Sequence, residues 1–519
     1  MKELSAPADL ILYNARAITL DGKQPTAELI AIKGNKILGT GKNDDLAYFK
    51  GTKTELVDCR GKTVGPGFND AHCHPRGFAA SMLSVDCRPP SVGSIVELKA
   101  LIRQRAAQTP KGRWVRAMNY NEYYLSEKRH PNRWDLDEAV PDHPVRLYHR
   151  SGHACVLNSL ALKMAGISRE TPEPQGGIIE RDLETGEPNG MLFGMNPFME
   201  KVVPILSEDE LGIAYRLADR EYLSNGITSL QDAYRVGGFE RWQMYQQLKE
   251  RGDIKVRISM MVGAEAVGEL QERGLSMGSG NSQLRLGGAK IILQTVTGSM
   301  DPSRDELNRL VYEAHKAGFQ LAIHAVEEDT LEAAIIALER ALHQVPKSDH
   351  RHRIEHCSVC PPHLMQRLKD IEAMVVTQPS FIYYNGERYL ATVSQNDQKW
   401  LYPIGSLLGS GIKVAGSSDS PIVPPNPLVG IYAAVTRKAE TGQVILPQEG
   451  ISSLEALKMY TLGAAYSSFE EKLKGSIVPG KLADLVILSD DPTRVSSEEI
   501  KEIQVLKTII DGQVVWERK

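Results

Sequence analysis

The sequence contains few cysteines, no long apolar run and little net charge. Six cysteines among 519 residues do not form a disulfide framework, so a reducing, cytoplasmic setting is expected. No apolar run approaches the length of a membrane span, and the first residues, Met1 to Ser5, lack the apolar region of a signal peptide. The formal net charge of −4 gives no indication of nucleic acid or an anionic membrane as a partner.

The overall composition is that of an ordinary globular protein. Hydrophobic residues make up 42% of the chain and charged residues 24%. A chain of 519 residues can bury a sizeable core, and it can form one large domain with an appendage or two to three domains.

Both ends of the chain are rich in predicted strands. Residues 29–38 and 508–516 each contain two apolar runs joined by a short turn pair, which is the pattern of a β-hairpin. Residues 483–488 are predicted to form a further strand. Because chain termini often lie close together, we predict one small β-sandwich domain from residues 1–65 and 470–519. Two unrelated small sheets are the alternative.

Between these ends, short apolar strands alternate with amphipathic helices. The strand at 321–323 precedes a helix whose apolar residues, from Leu331 to Val345, recur in steps of four and three and so share one face. Strand candidates lie at 145–147, 227–229, 289–293, 321–324, 353–356, 374–377 and 412–415.

Repeated strand–helix units of this kind predict an α/β fold with a parallel sheet, in the form of a (β/α)8 TIM-like barrel. The barrel domain is predicted to span residues 66–469. Two stretches, at 95–145 and 170–220, are rich in charge, proline and glycine and are interpreted as insertions.

Residues that could bind a metal recur at the ends of the predicted strands. His72 and His74 alternate along one strand and therefore project from the same face, as two ligands of one ion would. Each such residue alone has an ordinary structural explanation. Several of them at the carboxyl ends of barrel strands, where active sites of such barrels lie, instead predict a metal centre. The set consists of His72, His74, Lys290, His324, His356 and Asp419.

Several longer motifs accompany these residues. They are PGFNDAHCH at 66–74, SGHA at 151–154 with Asn158, GGIIERD at 176–182, GITS at 226–229, RIEH at 353–356, QPSF at 378–381, SDSP at 418–421 and GSIVPGKLAD at 475–484. With them the sequence resembles the amidohydrolase superfamily nearly from end to end. Within it, the chain is most similar to the amidohydrolase-3 or YtcJ-like branch, which includes N-substituted formamide deformylases.

The resemblance implies a centre of one or two divalent ions, with Zn²⁺ as the expected metal. In several relatives the lysine of the fourth strand is carboxylated and bridges two ions, and Lys290 occupies that position. Asp419 is implied to act as general base and then acid, and His153 to bind the substrate. The implied metal ligands are His72, His74, Lys290, His324, His356 and Asp419.

The sequence departs from the branch just after Lys290. Relatives commonly carry an Asp-Gly-Ser segment there, whereas residues 291–299 read IILQTVTGS. Gly298-Ser299 is thus displaced and the aspartate is absent. The departure concerns the substrate contacts, and it leaves deformylase activity open.

The predicted function is hydrolysis of C–N bonds in amides of N-acyl or N-formyl type by metal-activated water. One alternative is a deaminase that uses one metal and Glu327, and another is a non-catalytic metal-binding protein on the same fold. Lys290 could also remain a free lysine that binds a substrate carboxylate. Cys357 and Cys360 could form a structural zinc site with His72 and His74. The expected partners are a small-molecule substrate and a second copy of the chain in a homodimer.

Overall fold

The computed structural model describes residues 7–89, 91–174, 176–204, 206–296 and 299–519. The chain divides into two compact units, one formed by Met1–Pro75 with Asp219–Lys519 and the other by Arg76–Ala218. None of the helices within the described ranges combines the length and the apolar character that a membrane crossing needs.

The strands of the described residues are, in chain order, β1 Leu10–Tyr13, β2 Arg16–Ile18, β3 Thr26–Ala27, β4 Leu29–Lys33, β5 Lys36–Gly41, β6 Glu55–Asp58, β7 Thr63–Pro66, β8 Phe68–Cys73, β9 Val85–Asp86, β10 Val115–Tyr120, β11 Val145–His149, β12 Ala154–Leu157, β13 Ile178–Arg181, β14 Pro188–Phe193, β15 Ile227–Asp232, β16 Arg257–Gly263, β17 Leu284–Ile292, β18 Gln294–Val296, β19 Ser299–Asp301, β20 Leu321–Ala325, β21 Arg353–His356, β22 Met374–Thr377, β23 Val414–Gly416, β24 Leu485–Leu488, β25 Val505–Ile510 and β26 Gln513–Glu517.

The α-helices are α1 Leu46–Phe49, α2 Pro75–Met82, α3 Ile95–Ala107, α4 Arg133–Ala139, α5 Ser159–Met164, α6 Asn196–Val202, α7 Glu208–Ser224, α8 Phe239–Glu250, α9 Val267–Glu272, α10 Arg304–Lys316, α11 Glu328–Gln344, α12 Pro362–Asp370, α13 Ser380–Thr392, α14 Gln395–Gln398, α15 Ile404–Gly409, α16 Pro427–Thr436, α17 Ser453–Lys458 and α18 Ala464–Ser467.

A nearly closed barrel of eight parallel strands forms the centre of the first unit. Its strand order is β8-β15-β16-β17-β20-β21-β22-β23, and every neighbouring pair is parallel. At the seam, the backbone N–H of Asp419 donates to the carbonyl of His72, and the N–H of His74 donates to the carbonyl of Ser420, both at 2.8 Å. These bonds bring the carboxyl ends of the first and last strands together. The predicted barrel architecture is confirmed.

The predicted helix after the fifth barrel strand shows how the pattern of apolar residues produces the outer layer. In α11, Leu331, Ile335 and Leu338 are completely buried, and they lie on the face predicted from the steps of four and three. Glu328 and Asp329 occupy the first turn, where negative charge is favourable at the positive end of the helix dipole.

One predicted barrel strand is wrong and one barrel strand was missed. Residues 145–147 lie in β11, which belongs to a six-stranded sheet of the second unit, of order β13-β14-β12-β11-β10-β9. A short apolar run shows that a strand is buried, but it does not show in which sheet the strand pairs. The missed strand is β16, which begins with the charged residue Arg257. The second unit, Arg76–Ala218, also includes the segment between the two predicted insertions.

The missed strand is anchored by a buried ion pair. Arg257 donates from Nε to Asp484 Oδ2 at 2.6 Å and from Nη2 to Asp484 Oδ1 at 2.8 Å. Nη2 also donates to Asp511 Oδ1 at 2.6 Å. The barrel strand is thereby tied to the carboxyl-terminal segment of the chain, and this partnership explains how a charged residue can begin a buried strand.

Both chain ends contribute strands to one sheet, of order β26-β25-β24-β7-β2-β3. The joining pair is antiparallel, with Leu485 opposite Pro66. A four-stranded sheet of order β5-β4-β1-β6 accompanies it, and Leu12 and Ile30 of that sheet belong to the same hydrophobic cluster as Leu485. The boundaries of a separate sandwich domain at residues 1–65 and 470–519 stay a prediction.

Candidate metal centre

The six predicted metal-binding residues all lie in the first unit, within or just after barrel strands. His72 lies in β8 and His74 follows it, Lys290 lies in β17, His324 in β20, His356 ends β21, and Asp419 follows β23. The carboxyl ends of parallel strands meet at one edge of a barrel, which is where such side chains can converge.

Three of these residues form a compact cluster. Ligand atoms of His72, His356 and Asp419 all lie within 4.8 Å of one another, and all three side chains are buried. Asp419 Oδ1 lies 3.5 Å from His72 Nε2 and 3.0 Å from Nε2 of His74. Within the described part of the chain, this is the one cluster of three or more histidine, cysteine or acidic residues with metal-binding geometry. The structure therefore brings together His72, His74, His356 and Asp419.

His324 and Lys290 adjoin this cluster. The ring centroids of His324 and His356 are 4.3 Å apart. Lys290 is buried, and its Nζ has no hydrogen-bond partner among the described residues. Burial lowers the pKa of Lys290 to about 8, although the negative charges of Glu355 and Asp419 oppose this shift.

The electrostatic environment of the cluster favours the protonation states in which histidine and aspartate side chains bind a metal. Burial, followed by the positive charge of Lys290, lowers the pKa of His72 well below its ordinary value. Burial also lowers the pKa of His356. Burial by itself would raise the pKa of Asp419, but the hydrogen bond from His74 and the imidazole charges outweigh it and hold that pKa below the ordinary value. Neutral imidazoles and an ionised carboxylate are the ligand forms that divalent metals bind.

Asp70 attaches the Asp419 loop to the first strand. Its carboxylate accepts hydrogen bonds from the N–H and the hydroxyl of Ser418, the former at 3.0 Å. Burial raises the pKa of Asp70 to about 6, although the bonds from Ser418 and from the His72 N–H oppose this. Tyr222 adds a hydroxyl contact of 3.2 Å to Ser420. Sequence reasoning missed this supporting role of Asp70, although Asp70 lies in the same motif as His72.

Two further side chains that sequence reasoning missed contact the outer nitrogens of the histidines. His72 Nδ1 bonds Glu355 Oε2, and His356 Nδ1 lies 2.8 Å from Gln378 Oε1. Strand alternation predicts opposite faces for Glu355 and His356. His356 instead has a φ of 71°, in the left-handed region, so that both side chains reach His72. The signal available in the sequence was their place in the RIEH and QPSF motifs.

The remaining predicted residues are His153, Glu327 and the displaced Gly-Ser segment. His153 belongs to the second unit, is exposed, and its N–H donates to Ser151 Oγ at 3.2 Å. Glu327 is exposed immediately before α11, where its carbonyl accepts from the Thr330 hydroxyl at 2.8 Å. The displaced Gly-Ser segment lies partly outside the described residues, because residues 297 and 298 are not among them.

The two cysteines at 357 and 360 are buried free thiols. A hydrogen bond to Cys360, followed by burial, raises the pKa of Cys357 well above its ordinary value. A metal-binding cysteine must be deprotonated, so this environment does not favour a structural zinc site.

Comparisons with known proteins identify the family of the chain. A family model described as the amidohydrolase family matches residues 55–516. The chain is 31% identical to the N-substituted formamide deformylase of Arthrobacter pascens over 98% of each chain. It is 30% identical to the YtcJ protein of Bacillus subtilis (strain 168), over 95% of this chain and 96% of that one.

Among solved structures, the chain is similar to an uncharacterized metal-dependent hydrolase from Pyrococcus furiosus. The identity is 26% and the TM-score 0.72, over 93% of this chain and all (100%) of that one. The predicted family is confirmed by a match that covers most of the chain, and hydrolases recur among the relatives. This is a hydrolytic enzyme that acts on a small-molecule substrate, and the chain belongs to the amidohydrolase family.

Proposed function

We propose that the protein is a metal-dependent hydrolase of C–N bonds in small amides of N-acyl or N-formyl type. The observation that carries the proposal is the convergence of His72, His74, His356 and Asp419 at the ends of the barrel strands. The similarity to a formamide deformylase over nearly the whole length supports the choice of substrate bond.

The residues present fit a divalent metal, with Zn²⁺ as the proposed ion. Imidazole nitrogens and a carboxylate are the donors that Zn²⁺ prefers, and His324 adds a further imidazole beside His356. One or two ions are compatible with this number of ligands. A bound cation would supply Lewis acidity that polarises the substrate carbonyl and makes water nucleophilic near neutral pH.

Lys290 offers an independent test of the fit. A buried ammonium group without an acceptor is unfavourable, because it has lost its hydration and gained no hydrogen bond. The neutral amine of Lys290, once its extra proton is lost, would add CO2 and release a further proton, and the resulting carbamate would replace this cation with an anion that can act as a ligand. We therefore propose the carboxylated form, which would supply an anionic ligand to a centre of one or two ions.

Asp419 is the proposed general base and acid. Its carboxylate would accept the proton of the attacking water and return it to the leaving nitrogen. The contact of 3.0 Å from His74 Nε2 orients Oδ1, and the Ser418 bonds to Asp70 hold the loop that carries Asp419. His153 stays the proposed substrate-binding residue, and a homodimer stays the proposed assembly.

A panel of amides tests the proposed reaction. Protein stripped of metal by chelator and protein reloaded with Zn²⁺ are each incubated with N-formyl amines, N-acetyl amines and aminopurines, and the release of acid, amine or ammonia is measured. Zn²⁺-dependent release of carboxylic acid and amine supports the proposal. Release of ammonia alone from aminopurines would favour the deaminase alternative, and no turnover by the Zn²⁺-loaded protein would favour a metal-binding protein without catalysis.

A further inference from the structure

Glu355 is completely buried and both of its carboxylate oxygens are engaged. Oε2 bonds His72 Nδ1 and also accepts from Arg353 Nη2 at 2.9 Å. Oε1 accepts from Arg353 Nε. Because two guanidinium donors point at it, the carboxylate acts as a charged acceptor towards His72.

Arg353 is in turn fixed by two other barrel strands. Its Nη1 donates to Gln231 Oε1 at 2.5 Å, and its Nη2 donates to the carbonyl of Ala71 at 2.6 Å. Gln231 is itself held, since its Nε2 donates to Ser467 Oγ at 2.9 Å. The guanidinium therefore connects β8, β15 and β21, and Glu355 cannot turn away from His72 without breaking this network.

Fold stability alone does not account for this arrangement. Burying two charges requires desolvation that offsets most of their attraction, so a buried ion pair contributes little net stability compared with apolar packing. The ion pair does determine which ring nitrogen of His72 carries the proton. An acceptor at Nδ1 requires that Nδ1 carry the proton, which leaves the lone pair on Nε2, 3.5 Å from Asp419 Oδ1.

His356 has the same tautomer but a neutral partner. Gln378 Nε2 donates to Ser417 Oγ at 3.0 Å, and that hydroxyl donates to the Thr377 carbonyl at 2.9 Å. The chain of donors leaves Gln378 Oε1 as the acceptor for His356 Nδ1. Two histidines of one cluster are thus oriented in the same way, one by a carboxylate and the other by an amide.

We propose that Glu355 is a positioning residue that fixes His72 as an Nε2 ligand and raises its basicity towards the metal, with Arg353 holding Glu355 in place. The inference rests on the proposed function, because it concerns the same metal centre. A carboxylate makes the bonded imidazole a stronger donor than an amide does. His72 would therefore be the stronger donor of the two histidines.

Metal affinity tests the proposal without reference to turnover. Metal-free wild-type protein and Glu355→Gln are titrated with Co²⁺ in the presence of a competing chelator, and the Co²⁺ absorption spectrum is recorded. We expect Glu355→Gln to lose about 10-fold to 100-fold in affinity, the range found when outer partners of metal ligands are removed. Unchanged affinity and spectrum in Glu355→Gln would overturn the inference and leave the proposed function intact.

Glu470→Gln is the matched control. Glu470 is also a buried carboxylate in an ion pair, with Lys474 at 2.9 Å, and its hydrogen bonds go to Ser468 and Lys474, neither of which is a candidate metal ligand. Its Co²⁺ affinity is expected to equal that of the wild type. An equal loss in both variants would mean that any buried carboxylate affects the centre through the fold, and it would overturn the inference.

A second measurement needs no variant at position 355. The ¹⁵N shifts of the histidine rings in metal-free wild-type protein distinguish the two tautomers, and the His72 signals are assigned by their absence from His72→Ala. The expected state of His72 has its proton on Nδ1. A proton on Nε2 would overturn the inference, and no Co²⁺ binding by the wild type would overturn both the inference and the proposed function.

Discussion

His74 Nε2 lies 3.0 Å from Asp419 Oδ1, a contact that joins the ends of the first and last strands of the barrel. The two residues are distant in the sequence, and the closure of the barrel brings them together. The same closure creates the cluster of His72, His356 and Asp419.

The substitutions His72→Ala and His356→Ala are expected to abolish amide hydrolysis while the chain remains folded. Each removes one imidazole from the proposed centre. The loss in kcat/KM should therefore exceed about 100-fold, which is the upper end of the loss caused by removing a residue that is hydrogen-bonded to a metal ligand. Circular dichroism checks the fold, and His363→Ala is the control because the His363 side chain is 63% exposed. Full activity in metal-stripped His72→Ala protein would refute the metal-dependent mechanism.

Lys290→Ala is expected to abolish hydrolysis, and a short-chain carboxylate in excess is expected to restore part of it. The reason is that the added anion would replace the carboxylated side chain as a bridging ligand. Rescue is measured as the rise in kcat with the concentration of formate, acetate or propionate, and sodium chloride at equal ionic strength is the control.

Glu327→Gln completes this test, because Glu327 is the proton shuttle of the deaminase alternative. It should have little effect on hydrolysis, since Glu327 is exposed before α11. The opposite pair of results, with Glu327→Gln inactive and Lys290→Ala fully active, would support a deaminase mechanism and rule out the bridged centre.

A series of buried, hydrogen-bonded histidines predicts that the free energy of unfolding decreases at acidic pH. His352 Nδ1 accepts from the Leu321 N–H at 3.0 Å, and His352 Nε2 lies 2.9 Å from His315 Nδ1. His315 Nε2 bonds the Val345 carbonyl at 2.7 Å. Burial, followed by the charges of His350, His315 and Lys347, lowers the pKa of His352 well below its ordinary value of 6.5. A proton on Nδ1 of His352 would lose the bond from Leu321.

The sign of this dependence follows from proton binding. Below pH 6.5 the unfolded chain binds a proton at His352 that the folded protein does not, so the free energy of unfolding falls as the pH drops below 6.5. His352→Gln should lower the Tm at pH 7.5, because buried hydrogen bonds are lost, and should flatten the decline of Tm between pH 6.5 and 5. The slope measured for His363→Gln should equal that of the wild type, and an unchanged slope in His352→Gln would contradict the account.

The ion pair between Arg257 and Asp484 should couple the barrel to the carboxyl-terminal segment. Asp484→Asn leaves the buried guanidinium with less compensating charge, and a loss of about 3–5 kcal/mol in the free energy of unfolding is expected. The double substitution Arg257→Met with Asp484→Leu should be less destabilising than the sum of the two single changes. Urea unfolding measures both, and strict additivity would show that the pair is not coupled.

The sequence predicted the barrel, and it indicated residues at the strand ends that could bind a metal, because both patterns are local features of the chain. Apolar strands followed by amphipathic helices specify strand ends, and polar residues at those ends are visible without a structure. The strand at 145–147 was assigned to the wrong sheet because its pattern is the same in either sheet. The strand at 257–263 was missed because Arg257 is charged, and only its partner Asp484, distant in the sequence, makes it compatible with burial.

The hydrogen bonds that orient the candidate metal ligands could not be predicted in the same way. Alternation along β21 places Glu355 and His356 on opposite faces, and the left-handed backbone at His356 cancels that alternation. Gln378 and Asp70 form hydrogen bonds to residues at the ends of other strands. A sequence pattern does not show how close those strand ends lie. The sequence therefore identified residues that could bind a metal, whereas the hydrogen bonds that orient them became apparent only in three dimensions.

The most direct test of the central claim is a crystal structure of Zn²⁺-loaded protein with anomalous scattering recorded at the zinc edge. We predict an anomalous peak bound by His72, His74, His356 and Asp419, and continuous density from Lys290 Nζ to a carboxylate group. An absence of anomalous density at these residues, in crystals of protein that hydrolyses amides at its full rate, would contradict it.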